Sequence, residues 1–391
     1  MSSRQPDVLV VGGGVIGASV AFHLARRGAR VLVLDDGARG STPRATGGQR
    51  AQFDTEIDVR LSLLSRAAFA RFRDETGVDP GLLPHGYLFI ARSPAELDAL
   101  RAAREVQRRA GFTDAEELDA RGVLERNPAL APEGILGGMF AASDGFLSPP
   151  EIRRGYAEAA ARLGADFQRG TCVGLTVEGG RIVAAETSLG RLEPGQVVNA
   201  AGAWAGQLGI AIPVTPLRRQ VAATKPTGDL PAETPMTIFV ADGFHFRVRD
   251  GRVLLLAPSP PAADPWDTSV DPEWLTWIAG IARARVPTLR APIDPQASWA
   301  GLYEMSPDGH ALLGRAPGLS NLVLANGSSG HGVMHSPALG QLAAEIVLDG
   351  AARSLDISAL SPERPLPEVH ADTSAGAFFR GLAGGTHQTQ R

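Results

Sequence analysis

The chain opens on an apolar run over residues 8–11 that has no polar face, the pattern of a parallel strand buried on both sides. Gly12, Gly14 and Gly17 follow at once, and behind them come apolar residues at helical spacing, with Ala21 and Leu24 on the inward face and Gly28 as the stop. A second apolar run over residues 31–34 ends in Asp35. Strand, glycine turn, helix, strand and acid in this order predict a nucleotide-binding βαβ unit. In such a unit Gly12 permits the tight turn, Gly14 leaves the backbone open to a pyrophosphate, and Gly17 lets the helix pack closely. The first-turn N–H groups, at Val15 and Ile16, then offer an anion site at the positive end of a helix. Asp35 suits ribose hydroxyls and would repel a 2′-phosphate, which disfavours NADP and leaves NAD and FAD open.

The pattern then loses apolar anchors over residues 37–50, a loop expected to need a ligand to order it. A helix is expected over residues 58–76 and a strand over 86–91. Ser93, Pro94 and Glu96 form an N-cap, a first-turn proline and a capping-box acid that open a helix to about residue 110. Residues 149–164 repeat that logic. Alternating segments at 171–177, 181–187 and 190–192, split by glycine turns, predict a meander that feeds a strand at 196–199. From 216 to 295 the chain becomes strand-rich, with strands at 237–240, 244–249 and 252–256 and a helix at 272–285. Residues 321–325 read as another buried strand, 326–332 as a second glycine turn, and 337–348 as a helix. Strand, glycine loop and helix thus recur at the far end of the chain.

The expected fold is α/β: a Rossmann-like nucleotide-binding domain, discontinuous over 1–85, 145–215 and 300–365, with a second antiparallel-sheet domain from 86–144 and 216–299. Residues 366–391 have little to bury and are expected to be a disordered tail.

Length and charge narrow the function classes. The 391 residues suffice for two domains with ample core. A net charge of −4 with scattered arginines, and Lys225 as the only lysine, gives no field that invites nucleic acid or an acidic membrane. Cys172 is the only cysteine, which excludes an internal disulfide or a cysteine metal cluster, and it reads as a small buried strand residue. With no charged leader and no run of 18 apolar residues, a soluble cytoplasmic protein is expected.

The N-terminal βαβ, the segment from Val197 through Ala200, Ala201 and Gly202 to Trp204, and the turn Gly330-His331-Gly332-Val333-Met334 with His335 and Pro337 together resemble the D-amino-acid oxidase family of flavoproteins. The branch of sarcosine oxidase and dimethylglycine dehydrogenase is the most similar part of it. The resemblance covers residues 7 to about 350. It implies FAD held by Gly12, Gly14 and Gly17 at the pyrophosphate, by Asp35 at the ribose, and by Val173 near the adenine. Gly47, Gly48 and Gln49 would lie at the flavin, with Trp204 packed beneath the cofactor. The C-terminal turn, a glycine loop opening a helix, offers donors where negative charge grows on flavin reduction. The turn carries no cysteine and residues 41–49 no histidine, so non-covalent FAD is expected.

Within the resemblance, Arg50 stands where the branch places a carboxylate-binding arginine, a group suited to the task by its planar fork. Glycine and D-amino-acid oxidases carry an arginine after a Gly-Leu pair where this chain has Tyr303, which could line the pocket, followed by Glu304. The branch's lysine in the final turn is replaced by Met334, so a less cationic pocket is expected. His245 sits where relatives place pocket residues and could accept the amine proton or bond the substrate. His331 and His335 flank the cofactor turn without metal-ligand spacing.

These implications make the chain an oxidoreductase for a small amino acid or an N-alkyl or secondary amine, passing hydride to flavin and releasing an imine to water. Two alternatives stand beside it: a glycine or D-amino-acid oxidase, and a flavin-binding assembly factor or complex subunit with little turnover. An NAD-dependent dehydrogenase leaves the C-terminal turn unexplained. The electron acceptor is oxygen or another carrier. The strand 252–257 holds no lysine to favour superoxide, so slow reaction with oxygen is expected. The oligomeric state is open.

Overall fold

The computed structural model describes residues 5–37 and 40–367, so the expected tail lies almost entirely outside the described residues. Its first layer is a six-stranded sheet in the order Leu312–Arg315, Leu322–Asn326, Gln196–Asn199, Val8–Val11, Val31–Asp35, Asp166–Arg169. All neighbours are parallel except the first pair. The opening strand shows why it needed no polar residue. Val8 and Val10 pack on the side of helices Val15–Arg26, Pro149–Arg162 and Gly332–Asp349. Leu9 and Val11 pack on the other side, with Ile182 and Ala185 of the meander Cys172–Glu178, Arg181–Thr187, Gly190–Leu192. The three central strands end side by side, and their next residues are the three small-residue turns at Gly12, at Ala200 to Gly202, and at 327–332. Crevices beyond the carboxyl ends of parallel strands are where such sheets hold ligands.

The second layer is an eight-stranded sheet: Trp299–Met305, Thr215–Ala223, Arg252–Leu256, His245–Arg249, Met236–Phe239, Tyr87–Ala91, Gly137–Ala141, Glu116–Asp119. Only Met236–Phe239 and Tyr87–Ala91 run parallel. Its two faces part by strand alternation. Leu88, Ile90, Phe246 and Leu255 turn outward under Trp274 and Ile278 of helix Pro272–Arg285. Tyr87, Phe89 and Ile238 turn inward against Ala51, Phe53 and Met334, which belong to segments at the carboxyl edge of the first sheet. Among the described residues no helix is long and apolar enough to cross a membrane.

Local expectations change in two places, and one is met. The helix read over 58–76 is two, Glu56–Ala70 and Phe72–Thr76, with Arg71 off helical geometry between them. The capping box at Ser93 forms, with Glu96 N–H donating to the serine hydroxyl and Arg92 N–H donating to the Glu96 carboxylate. The last helix starts at Gly332 rather than at Pro337, which lies inside it. The proline removes a donor, and the Ser336 hydroxyl donates to the Val333 carbonyl at 2.9 Å in its place.

Candidate active site

A cavity of about 880 Å³ runs between the carboxyl edge of the first sheet and the inner face of the second, near the upper end of the roughly 300–1,000 Å³ seen for small-molecule sites. At its first end the three glycines divide as the sequence implied. A side chain on Gly12, whose φ is +99°, would place Cβ 2.3 Å from the Ala200 carbonyl, and one on Gly17 would lie 1.8 Å from the Gly12 carbonyl. Those two glycines are demanded by the protein's own backbone. Gly14 is not: its nearest neighbour is the Thr42 hydroxyl at 3.3 Å, so the space it leaves belongs to whatever fills the cavity. Thr42 also accepts the Val15 N–H, and Arg153 donates Nε to the Gly13 carbonyl at 2.7 Å beside the cavity. Asp35 accepts from Gly13 N–H at 2.6 Å and from Gly37 N–H, so the acid braces the turn it faces.

Farther along this end lie Val173, 66% exposed, and Cys172. Cys172 is half-buried on the cavity wall, which corrects the expectation of a buried core thiol, because the outer strand of a three-stranded meander covers only one face. Trp204 lines the cavity and stacks on Trp266 at 5.6 Å.

The loop expected to need a ligand is held by protein. Ser41 donates to the Leu302 carbonyl and Trp299 to that of Arg44, while Arg247 donates to Thr46 and Arg249 to Ala45. Gly47 has φ +78° and passes close to the Leu147 carbonyl, and the Tyr87 hydroxyl occupies the space a Gly48 side chain would need. Opposite stands the second turn, where Gly330, His331, Gly332, Val333 and Met334 line the cavity at the start of the last helix. Of the residues proposed from sequence to touch cofactor or substrate, Gly17 and Gln49 are not on the cavity wall. Gly17 is pressed on Gly12, and Gln49 is 2% exposed in a two-stranded ladder with Gly145–Phe146.

Between the second turn and the inner sheet the cavity turns cationic. Arg50 is 4% exposed. It donates to the Gln52 carbonyl, contacts His331 Nε2 through Nη2 at 3.3 Å, and lies 3.6 Å above the Phe53 ring. Since guanidinium only donates, His331 offers Nε2 as acceptor; burial and the charge of Arg50 push its pKa well down. His245 is bonded through Nδ1 to the Gly243 carbonyl at 2.8 Å, which places the ring proton on Nδ1 and the acceptor on Nε2. Burial, with the charges of Arg219 and Arg50, pushes its pKa down to about 4. A proton taken by this ring would be poorly held, which argues against a base and for a neutral hydrogen-bond acceptor.

Tyr303 faces the cavity, its ring against Gly330. The pocket is not short of cations, as the sequence suggested, because Arg219 of the neighbouring strand places its guanidinium 5.7 Å from the Tyr303 ring. No motif surrounds Arg219, and only the strand register brings it here. Glu304, buried by the next alternation, takes the Ser328 N–H and hydroxyl on Oε1. Burial raises its pKa. Behind the turn Asp58 pairs with His310 at 3.0 Å. Burial alone would raise that carboxyl, but the His310 bond and the nearby histidines hold it well below the usual range. Lys225 is exposed and outside the cavity. Among the described residues no group of three or more His, Cys, Asp or Glu could hold a metal ion.

The family model for FAD dependent oxidoreductase, DAO, matches residues 7–346. The chain belongs to this family. It is an FAD-dependent oxidoreductase, and the site fits the cofactor: the open space at Gly14, the helix-opening turn at 330–334 and the exposed Val173 side chain are features the fold itself does not consume. Among its relatives is the glycine oxidase of Geobacillus kaustophilus, 30% identical over 94% of this chain and 99% of the relative. The FAD-dependent oxidoreductase domain-containing protein 1 of Xenopus laevis is 28% identical over 92% of this chain and 83% of its own length. Among solved structures, L-proline dehydrogenase from P. horikoshii superposes with TM-score 0.84 at 27% identity, covering 92% of this chain and 97% of that one. The Geobacillus glycine oxidase gives 0.82 at 28%, covering 93% and 100%.

Proposed function

We propose that this family member oxidises the carbon–nitrogen bond of a small amino acid, with secondary or N-alkyl amino acids as the substrate class. The observation that carries the proposal is the cationic end of the cavity, where buried Arg50 and half-buried Arg219 flank Tyr303 and His245 beside the turn at 330–334. Relatives named for glycine and L-proline oxidation support an amino-acid substrate. FAD, when bound, supplies a two-electron acceptor for hydride from the carbon beside nitrogen, and the imine product hydrolyses in water. The chain's own part is placement. Guanidinium charge fixes the carboxylate, His245 Nε2 accepts from the amine N–H, and Tyr303 closes the wall against Gly330. The inner sheet excludes water by lying over the site. The first sheet with its turns serves as the cofactor domain and the eight-stranded sheet as the substrate domain.

The test is turnover with an artificial electron acceptor, supplied with glycine, sarcosine, both enantiomers of proline and of alanine, and the matching amines without carboxylate. Turnover confined to amino acids supports the proposal. Preference for glycine or D-enantiomers moves it to the oxidase alternative, and turnover of none of them, with FAD bound, favours a flavin-binding subunit.

A further inference from the structure

Arg219 is a half-buried cation on the cavity wall that the protein itself leaves unanswered. Its Nη1 is buried and meets no hydrogen-bond acceptor, and among the described residues no carboxylate forms an ion pair with it. Burial pushes its pKa down, and the Tyr303 phenol is the one neighbour that opposes the shift. Leaving a guanidinium in that state is costly unless a ligand supplies the anion.

The other arginines on the cavity wall are engaged. Arg50 spends Nη1 on the Gln52 carbonyl and Nη2 on His331, and its face on Phe53. Arg44 donates to the Gly40 carbonyl, and Arg153 is tied to Gly13 at the opposite end. Arg219 lies opposite Gly301 in the antiparallel ladder and leans diagonally over Tyr303, while the space at Gly301 is filled by the Arg44 side chain. Tyr303 in turn touches Gly330, next to His331. One aromatic ring therefore separates the unanswered guanidinium from the second glycine turn.

We infer that Arg219 binds the substrate carboxylate, that Arg50 instead positions His331 and the segment around Gln52, and that neutral amines and amino-acid amides are poor ligands. This inference rests on the proposal that the cavity takes an amino acid. Its test does not depend on turnover.

The FAD-loaded protein is titrated anaerobically with cyclopentanecarboxylate, which has no nitrogen to oxidise, and with cyclopentanecarboxamide, following the flavin absorbance spectrum. The native protein should bind the acid at least about 30-fold more tightly than the amide, the range for a buried charge pair. Arg219→Gln should bring the two Kd values together, and Arg219→Lys should recover part of the difference without the planar fork. Circular dichroism and FAD content show whether the variants fold. If Arg219→Gln does not fold, Arg219→Lys and Arg219→Met carry the same comparison. Equal affinity of the native protein for acid and amide, or an unchanged acid Kd in folded Arg219 variants, overturns the inference. Acid binding through Arg219 in a protein that oxidises no amino acid leaves the inference standing and sinks the proposed function.

Discussion

Gly14→Ala separates what the polypeptide needs from what the cofactor needs. Gly14 has φ −65° and ψ −172°, which alanine adopts without strain, and the new methyl would meet only the Thr42 hydroxyl at 3.3 Å. As a helix N-cap without a side-chain bond, the position loses about 1 kcal/mol or less on this change. In a chain this long that is a melting shift of roughly 2 °C or less for the FAD-free protein. The methyl does occupy the open space beside the first helix end, where the pyrophosphate would lie. Overpacking of this kind costs about 1–3 kcal/mol, or about 5- to 150-fold in the FAD Kd. Quenching of FAD fluorescence on titration into cofactor-free protein measures the Kd, and thermal unfolding of the same sample measures the fold. Gly17→Ala is the contrast, because its Cβ would sit 1.8 Å from a backbone carbonyl and must disrupt the FAD-free protein. An unchanged FAD Kd in Gly14→Ala would refute the placement of the cofactor phosphates.

The remaining predictions concern charge. Burial pushes His23 down to about 3 and His245 and His335 to about 4, below the roughly 6.5 of an unfolded chain. The unfolded state then binds more protons as pH falls, so stability present above about pH 6.5 is lost toward pH 4, by up to about 1.4 kcal/mol per pH unit for each histidine. His310, raised by Asp58, acts oppositely and only in part; equal urea midpoints at pH 7 and pH 5 would contradict the balance. His245→Asn should leave the acidic limb of kcat/KM against pH where it was, because the native ring stays neutral down to about pH 4. Arg50→Ala should raise KM for amino acids strongly, and Arg50→Lys should rescue little, since an ammonium cannot both stack on Phe53 and reach His331 and Gln52; native kinetics in Arg50→Ala would return it to a bystander. Reoxidation by oxygen, followed by stopped flow, should slow when a carboxylate occupies the cavity and neutralises Arg219; no change would remove that charge from the reaction.

What the sequence showed plainly was what local pattern controls. The glycine turns, the capping box at Ser93 and the apolar run of residues 8–11 are each written in a short stretch of chain, although the side chains that cover residues 8–11 and the carbonyl that demands Gly12 lie far off in sequence. Pro337 misled for a related reason. A proline reads as a helix start, and only the Ser336 hydroxyl bonding to Val333 shows how the helix runs through it. The substrate end was poorly legible because long-range register builds it. Arg219 reaches Tyr303 through the pairing of Thr215–Ala223 with Trp299–Met305, and Arg247 and Arg249 reach the 45–46 loop from the opposite layer. His245 was visible as a titratable residue, but its protonation follows from burial and from two arginines distant in sequence.

The central claim is that an amino acid is oxidised at the cavity end where the second glycine turn meets Arg50, Tyr303, His245 and Arg219. Anaerobic mixing of the FAD-loaded protein with sarcosine or proline, each beside its carboxylate-free amine, tests it most directly. The account predicts bleaching of the flavin absorbance by an amino acid, with one equivalent of carbonyl or cyclic imine product per flavin and no bleaching by the matched amine. A flavin that stays oxidised with every amino acid, or that is bleached equally by the bare amines, would contradict it.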